Sequence, residues 1–180
     1  MTYDILIPVI AAFAITAVLG PIVIPFLRRL KVGQTERKEL APHLKKNGTP
    51  TMGGIMILAA IVITSLFYVR DYPKIIPILF MTVGFGVIGF LDDYLKVVLR
   101  RSDGLLAWQK MLLQIVLTAV FAYYMVNYSG VSLTMLIPFS GGRYLDAGWL
   151  TIPILFVAVV GTVNGTNFTD GLDGLASSVT

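Results

Sequence analysis

Five long stretches of the chain carry no charged side chain. They span residues 5–27, 47–69, 75–91, 111–142 and 147–169. A membrane-spanning helix needs roughly 17–25 mainly apolar residues, at a rise of about 1.5 Å per residue. We therefore predict helices over residues 3–30, 51–69, 74–99, 108–128 and 149–163, with the start of a sixth over 174–180. The predicted fold class is an all-α, polytopic transmembrane helix bundle.

The segment between the fourth and fifth predicted helices has a different pattern. Apolar and polar residues alternate over 131–136, and the sequence Ser140-Gly141-Gly142 is typical of a turn before residues 143–145. This pattern predicts a small β-hairpin, which we expect on the outer face of the membrane. The sequence has no internal repeat and no low-complexity tract, so we interpret residues 1–180 as a single transmembrane domain.

The composition agrees with a membrane protein. Hydrophobic residues make up 56% of the chain and charged residues only 13%, against about 25% charged residues in globular domains. A soluble domain of this length could not bury so much apolar surface. There are no cysteines, which excludes disulfides, zinc–thiolate sites and thiol nucleophiles.

The fourteen basic residues are distributed unevenly among the loops. Most follow the first predicted helix or lie near the connection between the third and fourth helices, and these are Arg28, Arg29, Lys31, Arg37, Lys38, Lys45, Lys46, Lys96, Arg100, Arg101 and Lys110. Only Arg70, Lys74 and Arg143 lie in the alternate loops. The positive-inside rule places the larger group in the cytoplasm and the N-terminus outside. Such a basic surface would also attract anionic lipid head groups.

Two adjacent carboxylates end the third apolar run. Asp92 and Asp93 are followed by Lys96, one helical turn further along the chain. Magnesium prefers oxygen ligands and is often held by one or two carboxylates together with substrate phosphates. One carboxylate could also act as a general base. The alternative is a structural acidic pair neutralised by Lys96 and Arg100.

A second polar cluster ends the last apolar run. Asn164, Asn167, Asp170 and Asp173 are spaced by three residues and are interleaved with glycines. Polar side chains are costly in hydrocarbon, so several of them at the end of a membrane helix indicate a functional site. Their amides and carboxylates suit the edges of a base or a sugar. The alternative is a helix end with ordinary Asx turns.

A third motif precedes the second predicted helix. Residues 48–54 read GTPTMGG, and Lys46 lies just before them. The N–H groups of a helix N-terminus attract anions, so we predict an anion-binding helix start with Thr51 as its cap and Lys46 as an added positive charge. The motif is not a Walker loop, because it lacks that spacing of glycine and lysine.

Together, GTPTMGG at 48–54, DDYLK at 92–96 and NFTDGLDGLA at 167–176 resemble the polyprenyl-phosphate N-acetylhexosamine-1-phosphate transferases. The spellings TPTMGG and TDGLDGLA favour the branch that acts on a muramoyl-pentapeptide nucleotide. The resemblance implies a membrane enzyme of about ten helices. Such an enzyme transfers phospho-MurNAc-pentapeptide from UDP to undecaprenyl phosphate with Mg²⁺ as cofactor, giving lipid I and UMP, on the cytoplasmic side of the bacterial inner membrane.

The resemblance also assigns roles to individual residues. Asp92 and Asp93 match the catalytic acid pair, and with Asn167 they match metal-site positions. Positions that line the uridine and nucleotide pocket are matched by Lys46, Thr51, Asn167, Asp170, Gly171 and Asp173. Lys96 and Lys110 match basic residues near the phosphates, and Asn164 matches a second amide near the metal. The family's third acid is expected beyond Thr180, so the chain is expected to be the N-terminal half of such an enzyme.

The expected partners are UDP-MurNAc-pentapeptide, undecaprenyl phosphate and membrane lipids, and not nucleic acid. The oligomeric state stays open, with a homodimer among the alternatives. One alternative function is a sister transferase that moves N-acetylglucosamine-1-phosphate to a polyprenyl phosphate. Another is a membrane transporter, which would place its polar residues near the midplane of repeated, broken helices.

The charge distribution generates a topological prediction. Cysteines introduced at Lys38 and Arg101 should be shielded from an impermeant thiol reagent in intact cells, whereas a cysteine at Ser140 should react readily. The native chain has no cysteine, so labelling reports only the introduced site. Labelling in the opposite pattern would place the acidic motifs outside the cell and exclude a nucleotide-linked substrate.

Overall fold

Helices dominate the computed structural model, which describes residues 2–30, 52–99, 104–130, 132–137 and 139–169. In chain order the elements are α1 (Thr2–Leu30), α2 (Gly54–Tyr68), α3 (Ile75–Val97), α4 (Ala107–Asn127), β1 (Thr134–Leu136), β2 (Tyr144–Asp146), a 3₁₀ helix (Gly148–Leu150) and α5 (Thr151–Thr169). Within the described part of the chain, four helical segments are long and apolar enough to cross a membrane. The predicted transmembrane helix bundle is confirmed, and the predicted sixth helix lies outside the described residues.

The chain divides into two compact units, Met1–Lys110 and Met111–Thr180. In the first unit, α1 packs against α2, and α2 packs against α3. Leu27, Ala60 and Ile88 are buried, whereas many large apolar side chains on the same helices are exposed. This outward apolar surface is what a lipid environment requires. Helix α1 continues through Pro8, Pro21 and Pro25, as predicted.

Helix α2 differs from its prediction at both ends. It has 15 residues and begins at Gly54, and its N-cap is Gly53 without a side-chain hydrogen bond. The helix therefore begins three residues later than predicted, and Thr51, its predicted cap, lies outside the described residues. Met52, at φ +66°, has a left-handed backbone that a continuing helix cannot adopt. The carbonyls of Met52 and Gly53 accept from the N–H groups of Ile55 and Met56, so these two donors of the first turn are bonded within the chain.

A glycine allows α2 and α3 to approach closely. A Cβ atom at Gly86 would lie 2.6 Å from a methyl carbon of Leu58 on α2, which is closer than any side-chain contact tolerates. For Gly89, on the same helix, the described part of the chain places no atom of a neighbouring element within 4 Å of the Cβ position. Small residues commonly set the spacing of membrane helices in this way.

The second unit contains the predicted hairpin. Strands β1 and β2 are antiparallel, with Thr134 opposite Asp146 and Leu136 opposite Tyr144. The Ser140 hydroxyl supports the turn, because it donates to the Ile137 carbonyl and accepts from the Arg143 N–H. The hairpin prediction is thus confirmed. The Thr151 hydroxyl at the start of α5 donates to the carbonyl of Leu133, the residue before β1, at 2.8 Å. This hydrogen bond connects α5 to the hairpin.

Helix α5 is longer than predicted. We expected it to end near residue 163, but it continues through Asn164 and Asn167 to Thr169. Asparagine usually weakens a helix because its amide competes for backbone groups. Here the Asn164 Nδ2 donates to the Val160 carbonyl, one turn earlier, so the amide bonds alongside the helix without interrupting it.

We predict that Gly86→Val destabilises the protein by about 1–3 kcal/mol, the usual cost of overpacking a tight contact. Gly89→Val is the matched control, because it has the same intrinsic effect on the helix but no neighbour at its Cβ position. Thermal unfolding of the detergent-solubilised protein measures both. Equal midpoints for the two variants would contradict the close packing of α2 on α3.

Candidate active site

A buried carboxylate marks the C-terminal part of α3. Asp92 is only 7% exposed, although it belongs to the last turns of an apolar helix. Asp93 is half-buried. Adjacent residues of a helix are about 100° apart around its axis, so the two side chains point in different directions. A buried carboxylate without partners would be very costly, so its contacts define the site.

Both oxygens of Asp92 are occupied by donors. Its Oδ1 accepts from the backbone N–H of Leu105 at 2.9 Å. Its Oδ2 accepts from the Lys96 ammonium at 2.7 Å, and the Lys110 ammonium lies 3.8 Å from the same oxygen. Lys96 comes from the same helix and Lys110 from the start of α4. The structure thus brings together three of the predicted site residues, while Arg100 lies outside the described part of the chain.

Gly104 makes this approach possible. Its φ is +61°, and a Cβ atom there would lie 2.5 Å from Asp92 Oδ1 and 2.6 Å from Lys96 Cε. Only glycine both adopts this backbone without strain and leaves room for the carboxylate. We did not predict Gly104 as a site residue. The Asp103-Gly104 dipeptide is a turn signal that could have drawn attention to it.

The cluster of Asp92, Lys96 and Lys110 carries a net positive charge, one carboxylate against two ammonium groups. Lys96 and Lys110 thus bring two ammonium groups, each with three donor hydrogens, to one carboxylate. The Lys96 side chain is 37% exposed and that of Lys110 is 18% exposed. The arrangement is therefore suited to binding a phosphate group, with Asp92 holding the two lysines in place.

The second unit contains a different polar contact. The amide of Asn164 on α5 donates to the side-chain oxygen of Gln114 on α4 at 2.8 Å. Gln114 is fully buried, and so is Thr118 one turn further along. We did not predict Gln114, although an amide among the apolar residues of a membrane helix is itself an indication of function. Asn167 is exposed near the end of α5.

Five of the predicted site residues lie outside the described residues, namely Lys46, Thr51, Asp170, Gly171 and Asp173. Their assignments stay predictions.

Comparison with known proteins gives two matches to family descriptions. The profile of glycosyl transferase family 4 matches residues 75–180, which include Asp92, Lys110 and Asn164. Residues 46–58 match the phospho-N-acetylmuramoyl-pentapeptide-transferase signature 1. The second match covers the glycine-rich motif before α2 and the first residues of that helix.

Individual relatives carry the name of the same enzyme. The chain is 46% identical over 178 residues to a phospho-N-acetylmuramoyl-pentapeptide-transferase from Caldicellulosiruptor bescii, covering 98% of this chain and 55% of the relative. It is 47% identical to the enzyme of that name from Clostridioides difficile, covering 100% and 55% respectively. The Bacillus subtilis enzyme is 43% identical, with 96% and 54% covered. The chain thus spans about half the length of the curated relatives it matches.

The family profile covers more than half of the chain, and it includes α3, α4, α5 and the buried Asp92 cluster described above. The protein is a multi-pass membrane protein that belongs to glycosyl transferase family 4.

Proposed function

We propose that the full-length enzyme transfers phospho-MurNAc-pentapeptide from UDP to undecaprenyl phosphate, giving lipid I and UMP. The observation that carries the proposal is the cluster in which two lysines share the buried Asp92. The names of the relatives support this substrate. The signature at residues 46–58 favours it over the sister reaction with N-acetylglucosamine-1-phosphate.

The reaction replaces one phosphorus–oxygen bond by another. An oxygen of the lipid phosphate attacks the phosphorus that bears the sugar, and the bond to the UMP phosphate breaks. Phosphoryl transfer of this kind requires mainly positioning and neutralisation of charge. Lys96 and Lys110 are placed to bind the phosphate oxygens. The site also lies at the end of a membrane helix, where a lipid phosphate and a dissolved nucleotide can meet.

Within the acid pair we assign different roles. Asp92 uses both oxygens to hold the Leu105 N–H and the lysines, so it positions the positive charges. Asp93, diverging from it around the helix, is the carboxylate we assign to removing a proton from the lipid phosphate. This division agrees with the family's use of both acids.

Magnesium is the proposed cofactor. Among the described residues, no group of three or more His, Cys, Asp and Glu side chains could hold a metal ion. Magnesium is often bound by one or two carboxylates together with substrate phosphates. Asp92 and Asp93 as its ligands stay predictions, and Asp92 would have to exchange the Leu105 N–H or the Lys96 ammonium for the ion. The ion would neutralise charge on the phosphates. Asn167 as a further ligand stays a prediction.

The proposed location is the bacterial inner membrane, with the N-terminus outside and the active site facing the cytoplasm. The distribution of basic residues supports this orientation. A nucleotide-linked substrate is made in the cytoplasm, so the same orientation brings it to Lys96 and Lys110. A homodimer stays a prediction.

We predict that Asp92→Asn or Asp93→Asn in the full-length enzyme lowers turnover by at least about a hundredfold, the scale of an acid–base loss. Asp92→Asn removes the charge that holds the lysines, and Asp93→Asn removes the base. Asp71→Asn, an exposed carboxylate in the turn between α2 and α3, is the control and should leave turnover unchanged. Release of UMP measures all three. Near-normal activity of both acid-pair variants would exclude this site.

We also predict that Gly104→Ala lowers turnover by between about tenfold and a hundredfold, because its Cβ would displace the Asp92 carboxylate and small displacements of catalytic groups are costly. Gly130→Ala is the matched control. Its φ of +62° gives the same backbone strain, but apart from its chain neighbours no atom of the described residues lies within 4 Å of its Cβ position. Equal losses in the two variants would show that strain alone, and not the contact with Asp92, explains the effect.

A further inference from the structure

The side chain of Gln114 is a fully buried amide in a helix that is long and apolar enough to span the membrane. Its Nε2 has no hydrogen-bond partner among the described residues. A buried donor without a partner destabilises a protein, and a leucine at this position would avoid that cost. Gln114 is therefore poorly explained as a packing residue.

The other end of the amide has a specific contact. The Gln114 Oε1 accepts a hydrogen bond from the Asn164 Nδ2 at 2.8 Å, and these residues are 50 positions apart in the chain. The same Nδ2 donates its second hydrogen to the Val160 carbonyl, also at 2.8 Å. An asparagine amide has two donor hydrogens and one acceptor oxygen. Both hydrogens of Asn164 are thus used inside this unit.

The two bonds determine which atom Asn164 presents to a ligand. The two ends of an amide have nearly the same shape, so only hydrogen bonds decide which faces outward. With Nδ2 held by Gln114 and Val160, the carbonyl Oδ1 is the remaining polar atom. An oxygen acceptor binds a cation, a hydroxyl or an imide N–H, and it repels a phosphate oxygen.

We infer that Gln114 is a positioning residue, which orients the Asn164 amide so that its oxygen faces the substrate or cofactor. The inference rests on the proposed function, since it takes Asn164 as one of the substrate-binding residues predicted from the family resemblance. Without the Gln114 oxygen, one of the two bonds that fix the amide is lost. The amide then populates the reversed orientation, which presents N–H groups where an acceptor is needed.

A double-mutant cycle in the full-length enzyme tests this inference. The variants are Gln114→Met, which keeps the length of the side chain without its amide, Asn164→Ala, and the two combined. We expect Gln114→Met alone to lower kcat by about tenfold, the usual effect of one lost hydrogen bond. In the Asn164→Ala background it should cause no further loss, because residues that act through one another are not additive.

Thr118→Val is the matched control. Thr118 lies one turn further along the same buried face of α4, and its hydroxyl bonds only to the Gln114 backbone carbonyl among the described residues. Valine has a similar shape, so this variant removes the hydroxyl and its hydrogen bond while leaving the Gln114 and Asn164 side chains unchanged. Its kcat should stay within about twofold of that of the wild type.

Three results would overturn the inference: additive losses from Gln114→Met and Asn164→Ala, an equal loss in Thr118→Val, or normal activity of Asn164→Ala. The unfolding midpoints of the wild type, Gln114→Met, Asn164→Ala and the double variant provide a measurement that does not depend on catalysis. Coupling between Gln114 and Asn164 should appear there too, and its absence would also overturn the inference. If the wild-type enzyme transferred no sugar phosphate, the proposed function would be wrong. The unfolding midpoints would then still show whether the Gln114 and Asn164 side chains are coupled.

Discussion

A carboxylate buried at the end of a membrane helix has to be neutralised by groups brought to it from elsewhere in the chain. Removing an unpaired carboxylate from water costs several kcal/mol even after the protein relaxes. At Asp92 the compensation comes from Lys96 on the same helix, the Leu105 N–H in the following turn and Lys110 on the next helix. A single side chain, that of Asp92, therefore determines how the end of α3, the turn at Gly104 and the start of α4 are arranged. The contacts that offset the cost of burying this carboxylate also bring the positive charges of Lys96 and Lys110 to the site.

The fold could be predicted where the signal is local. Uncharged runs located all five helices, and alternation with a glycine turn located the hairpin, because hydrophobic length and turn chemistry are properties of short segments. The errors occurred at helix ends. At α2, the left-handed backbone of Met52 keeps this residue out of the helix, which begins at Gly54. At α5, Asn164 continued the helix because its amide found partners, one of them on another helix.

The site could be predicted only in part, for the same physical reason. Asp92, Lys96 and Lys110 were identified through motifs and family resemblance, and the structure brings them together. Gly104 and Gln114 were missed because their importance depends on what lies opposite them. A glycine in a turn and a glutamine in a helix are ordinary in sequence. They become significant when a carboxylate lies against one and an amide against the other.

The length of α2 connects this architecture to the lipid that surrounds it. Fifteen helical residues rise about 22 Å, whereas the hydrocarbon core of a bilayer is about 30 Å thick. A helix shorter than the hydrocarbon core is accommodated by local thinning of the bilayer or by neighbouring protein that covers its ends. In either case the acyl-chain length of the host lipids acts on the packing of α2 against α1 and α3. Membrane thickness can thus affect the glycine-rich motif at residues 48–54, next to α2, without a ligand binding to that motif.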